Sequence, residues 1–143
     1  MKRLLLSLPL LVSCGGEPDD GAVTVLNPPP GCIVTAAPCA VTALDGLRVE
    51  LQLPPAPEPL KPFQARVNVT GQPISSPVLE LSMIGMDMGD NRYRLVADKD
   101  GSWTATVVLP VCTLGRADWV ADVIFSADGT RYRARFPFST GGD

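Results

Sequence analysis

The sequence predicts an all-β domain, an immunoglobulin-like antiparallel β-sandwich of about seven strands, on three observations. Apolar residues recur at every second position through much of residues 32–143, the period of a strand with one buried face. Asp-Gly and Gly-Asp pairs separate the alternating runs, as hairpin turns with positive φ require. No apolar stripe at a 3.6-residue period occurs after the leader, and 15 prolines and 13 glycines argue against long helices.

The strands follow in order. In GLRVELQL, Leu47, Val49, Leu51 and Leu53 alternate with Arg48, Glu50 and Gln52. After the proline-rich connection PPAPEPLKP, Phe63, Ala65, Val67 and Val69 form a second inward series, and Leu79, Leu81 and Met83 a third. RYRLV offers Tyr93 and Leu95, and SWTATVVL offers Trp103, Ala105 and Val107. DWVADVIF offers Trp119, Ala121, Val123 and Phe125, and TRYRARFPF offers Tyr132, Ala134, Phe136 and Phe138. GDN at 89–91, DKDG at 98–101 and ADGT at 127–130 are the turns between them.

Ahead of the domain stands a different kind of segment. MKR is a positive start, LLLSLPLL is apolar but too short to span a bilayer, and LVSC ends the run with small residues and a thiol. Leu11 to Cys14 resembles the lipobox of bacterial lipoprotein precursors. The resemblance implies that residues 1–13 are removed and that Cys14 carries diacylglycerol, a two-chain anchor that holds a protein on a membrane durably. Residues 14–31 then read as the lipidated cysteine and a flexible tether, and 32–143 as the sandwich. By resemblance to Gram-negative lipoproteins, Gly15 after the cysteine favours the outer membrane over the inner, with the domain facing the periplasm.

Composition narrows the function. Loss of residues 1–13 leaves 10 basic and 15 acidic side chains, a net charge of −5. Nucleic-acid and polybasic membrane binders need a concentrated basic face, and the sequence displays none. Arg131, Arg133 and Arg135 share one strand face, the pattern of a solvated surface. The chain has no histidine, which removes the usual general base and the commonest metal ligand. It also lacks a G-x-S-x-G elbow and a phosphate-binding glycine loop, so no enzyme is expected. Asp87 and Asp90 are placed for turn geometry rather than for acid–base work.

The remaining chemistry is sulfur. With Cys14 lipidated in an oxidising compartment, Cys32, Cys39 and Cys112 remain. Cys32 and Cys39 are expected to close the small loop CIVTAAPC and leave Cys112 reduced or metal-bound; Cys112 pairing with either is the alternative. SMIGMDMGD puts Met83, Met86 and Met88 into six positions of a chain with four methionines, and glycines and acids around Met86 and Met88 place those two on an exposed hairpin loop that buries little. Thioethers are soft donors that select Cu(I). If the strands run up and down, the connection after Met83 and the one carrying Cys112 lie at the same end. Met83, Met86, Met88 and Cys112 are therefore the candidate Cu(I) ligands. The competing reading puts Met83 in the core and makes Met86 and Met88 gap-fillers at the open end.

The order GMDMG, Asn91, Leu95, then Asp100-Gly101 with Trp103, then Leu109-Pro110, Cys112, Gly115-Arg116 and Trp119 resembles the YtkA-like and FixH-like family of exported β-sandwich domains. The resemblance spans residues 46–138 and implies a part in copper supply to cytochrome oxidase assembly. The expected function is a lipid-anchored envelope module for binding or assembly that handles Cu(I). The alternative is a metal-free structural or protein-interaction domain of the envelope.

Overall fold

The computed structural model describes residues 21–140 and is a β-sandwich of two five-stranded sheets. Ten strands run in the order β1 (Val23–Leu26), β2 (Cys39–Thr42), β3 (Arg48–Gln52), β4 (Phe63–Thr70), β5 (Ser75–Ser82), β6 (Arg92–Arg94), β7 (Val96–Ala97), β8 (Trp103–Val107), β9 (Asp118–Ala127) and β10 (Thr130–Ser139). One sheet has the order β1-β10-β9-β5-β6 and the other β2-β3-β4-β8-β7. All pairings are antiparallel except β1 with β10, which is parallel.

The inward series read from the alternation form the core. Trp119, Phe125, Phe136, Leu47, Leu51, Leu79 and Leu81 are fully buried between the sheets, and the Phe125 and Tyr132 rings stack with centroids 5.5 Å apart. Burying one such side chain contributes about 1.5–3 kcal/mol, so this layer is the main source of stability.

Ten strands replace the expected seven for two reasons. RYRLV reads as one alternating strand, but the chain changes sheets within it. Arg92–Arg94 closes the edge beside β5 and Val96–Ala97 closes the edge beside β8, with Leu95 driven into the core between them at 3% exposure. The second reason is that β1 and β2 are only four residues long: β1 is mostly exposed, and in β2 the alternation amounts to Cys39 and Val41 alone. The tether expected over 14–31 is corrected at Val23–Leu26, which pairs with Arg131–Ala134. Its side chains are mostly exposed, so backbone pairing rather than burial holds it, and its one local sign is the short β-branched run Val23-Thr24-Val25.

Register divides the connections between two ends. Residues 43–47, 71–74, 98–102 and 128–129 make short turns at one end, and β1 enters there, with Val23 opposite Arg131. Residues 27–38, 53–62, 83–91 and 108–117 make the longer loops of the other end. The loop end is plugged by Val34, 1% exposed, whose carbonyl accepts the Leu53 N–H at 2.9 Å. A disulfide between Cys32 and Cys39, as expected, closes the loop that carries this plug. The Leu60 N–H bonds to the Leu109 carbonyl at 2.9 Å and ties the proline-rich connection to the 108–117 loop.

Candidate functional site

The 83–91 segment does not run out as one hairpin loop. At its start the Met86 N–H bonds back to the Met83 carbonyl at 3.3 Å, and Gly85 takes φ 74° at the third position of this turn. That φ suits glycine and puts the exposed tip at Ile84, not at a methionine. A second turn follows: Asp87 accepts the Gly89 N–H at 2.9 Å, and the Asn91 side-chain amide donates to the Met88 carbonyl at 2.8 Å.

This double turn folds Met86 and Met88 back against the core. The expectation that both lie at an exposed loop tip is therefore corrected: each is half-buried. Met83 continues β5 inward as its alternation requires and is 3% exposed.

Cys112 arrives from the 108–117 loop. Its carbonyl accepts the Gly115 N–H at 3.1 Å, closing a turn in which Gly115 has φ 70°. The thiol is 9% exposed and donates to the Met86 thioether, with Sγ and Sδ 3.3 Å apart. Of the four sulfurs expected to converge, these two are brought into contact. Cys112 is not in a disulfide, which agrees with the pairing of the other two cysteines.

Arg116 borders the pair. Asp118, bonded to the Arg116 Nε at 2.9 Å, and more weakly the Cys112 sulfur raise its pKa above the usual arginine range. Among the described residues, no three histidine, cysteine, aspartate or glutamate side chains converge as a site for a hard or borderline cation would need. The converging donors at this end are one thiol and one thioether, which suit a soft monovalent ion.

Cys14 and residues 1–13 lie outside the described residues. One feature missed in the sequence is a concentrated basic face. Pairing of β5 with β6 sets Arg92 opposite Glu80 and Arg94 opposite Val78, so both arginines join Arg131, Arg133 and Arg135 on the outward side of one sheet. Only the strand order, which no local pattern encodes, unites them.

No protein-family model, curated protein or solved structure matches this chain significantly.

Proposed function

We propose that this protein is a lipid-anchored, exported β-sandwich of the bacterial envelope that acts as a binding or assembly module and handles Cu(I). The observation that carries the metal reading is the 3.3 Å contact between the Cys112 thiol and the Met86 thioether, which join from two loops 26 residues apart. Cys112 would hold the ion as its thiolate and Met86 as a neutral thioether, with Met88 on the following turn as the nearest further sulfur in sequence. Bound there, Cu(I) would be held for transfer, a role that the resemblance to YtkA-like and FixH-like domains also favours. The lipobox LVSC supports the anchor at Cys14 and, with Gly15, the outer membrane.

Anaerobic Cu(I) titration of the full chain tests the metal reading. Cys112→Ser and Met86→Leu should each lower affinity by at least about tenfold, as loss of a ligand requires. Unchanged affinity in both variants overturns it. A second reading, a metal-free protein-interaction domain, is favoured by the half-burial of Met86 and Met88, because methionine also fills irregular gaps. Under that reading the wild-type chain shows no measurable Cu(I) affinity.

A further inference from the structure

The outward face of the β1-β10-β9-β5-β6 sheet carries a charge distribution opposite to that of the whole chain. The formal net charge is −3, yet Arg92, Arg94, Arg131, Arg133 and Arg135 all project from this face. Two acids lie among them. Asp122 is 1% exposed beneath Arg133 and Arg135, and Glu80 is engaged by Arg92 and Arg133. Asp118 on the same side of β9 is paired with Arg116, and Asp90 adjoins Arg92. What solvent meets is therefore mainly guanidinium. Arg94 and Arg131 are exposed and make no ion pair among the described residues.

The same face is partly apolar. Val23 and Val25 on the edge strand are exposed, and Ile84 overhangs a groove of about 350 Å³ lined by Pro28, Pro29, Pro30, Val120 and Pro137. Elsewhere the charge is balanced or negative. Arg48 pairs with Glu50, Arg66 pairs with Asp100, and the turn end carries Asp45, Asp98, Asp100 and Asp128. The N-terminal 20 residues join the domain at the edge of this sheet, where Val23 lies beside Arg131.

We propose that this face docks on the phosphate-bearing headgroups of an anionic lipid surface. Three features select that occupant. Every basic side chain on the face is arginine, whose planar fork meets phosphate oxygens bidentately. Exposed aliphatic side chains among the cations suit the boundary between headgroups and acyl chains. The N-terminal chain joins at the edge of this sheet, beside Arg131, so the anchor proposed above would favour this face. The proposal rests on that anchor for this feature alone and is independent of the sulfur site.

The test uses the chain from residue 14 onward with Cys14→Ser, so that neither an acyl chain nor the basic, apolar leader of residues 1–13 contributes. Partition is measured on vesicles of phosphatidylcholine alone and of phosphatidylcholine mixed with phosphatidylglycerol, and the ratio of the two is the readout. The wild-type sequence should prefer the anionic vesicles, and added salt should erase the preference. Arg94→Gln with Arg131→Gln should lower the ratio about 25-fold, since each basic side chain at an anionic surface is worth roughly fivefold. Neither arginine holds an ion pair among the described residues, so the thermal midpoint should not move. Arg94→Lys with Arg131→Lys should keep the salt-sensitive part of the preference and lose the part that the bidentate fork supplies. Arg48→Gln on the opposite sheet should leave the ratio unchanged. An unchanged ratio in the glutamine pair overturns the proposal, as does binding to soluble polyglutamate in place of vesicles, which would make the partner an acidic polypeptide.

Discussion

Glu80 and Asp122 stand directly opposite each other on adjacent strands, and one guanidinium nitrogen of Arg133 touches both, at 3.3 and 2.7 Å. Two carboxylates in direct cross-strand register repel, and the pairing is made tolerable by Arg133 reaching between them from the next strand, with Arg92 on the far side of Glu80. Arg135 holds the other side of Asp122 through two bonds of 3.0 Å. Arg133→Leu should therefore destabilise the fold by about 2–3 kcal/mol, less than the loss of a sole partner because Arg135 remains. Urea unfolding measures it. Asp122→Val in the Arg133→Leu background should recover part of the loss, since the buried carboxylate left short of one partner is then gone while the partly exposed Arg135 can turn to solvent.

The three methionines should behave unequally. Met83→Leu conserves volume in the core and should cost less than about 1.5 kcal/mol, with Cu(I) affinity unchanged. Met86→Leu and Met88→Leu should also leave the fold intact, but Met86→Leu removes the thioether beside Cys112. Thermal unfolding and Cu(I) titration on the same samples separate the two effects. Equal affinity in the Met83 and Met86 variants would count against the sulfur pair.

Acid should loosen the turn end first. The Tyr132 hydroxyl donates to Asp45 at 2.8 Å, and with the Leu47 N–H and the Gln72 amide it lowers the Asp45 pKa below the ordinary aspartate range. A depressed folded-state pKa gives stability that is present above the unfolded value, near 3.9, and lost as pH falls through the folded value. Tyr132→Phe removes the largest cause. Its stability should fall less steeply than that of the wild type below about pH 4. The same bond raises the Tyr132 pKa, so its contribution is present below the unfolded value, near 10, and fades as pH rises through the higher folded one. Denaturant midpoints across pH test both arms.

Gly71 is fixed by its neighbour. It has φ 100°, and a β-carbon there would lie 2.7 Å from the Gly46 carbonyl oxygen, a backbone atom that cannot swing aside. Gly129 also has positive φ, 74°, but nothing lies within 4 Å of such an atom. Gly71→Ala should therefore cost clearly more than Gly129→Ala, whose penalty is the backbone term of about 1 kcal/mol. Paired thermal melts decide it, and equal losses would mean that the two turns separate freely.

Much of this architecture was legible because its period is local. Leu47, Val49, Leu51 and Leu53 announce a strand to anyone counting by twos, and all four are buried. The sharing of one end by Met86 and Cys112 followed from up-and-down counting. Three things were not legible. Val23–Leu26 is a strand through backbone pairing that burial does not report. Arg92 and Arg94 share a face with Arg131 because β9 intervenes between β5 and β10, a long-range choice. The turn at Met83–Met86 turned a presumed loop tip inward because a single glycine lets the chain double back.

The parallel pairing of β1 with β10 has a mechanical consequence. β1 enters at one end of the sandwich and β10 finishes at the other, so a pull applied to the two chain termini slides these strands past each other. The rungs between Val23–Leu26 and Arg131–Ala134 then bear the load together instead of opening one after another, as the rungs of a hairpin peeled from its tip would. A four-residue ribbon with little buried surface thus becomes the force-bearing clamp of the domain, and tension on the N-terminal chain meets it before reaching the core.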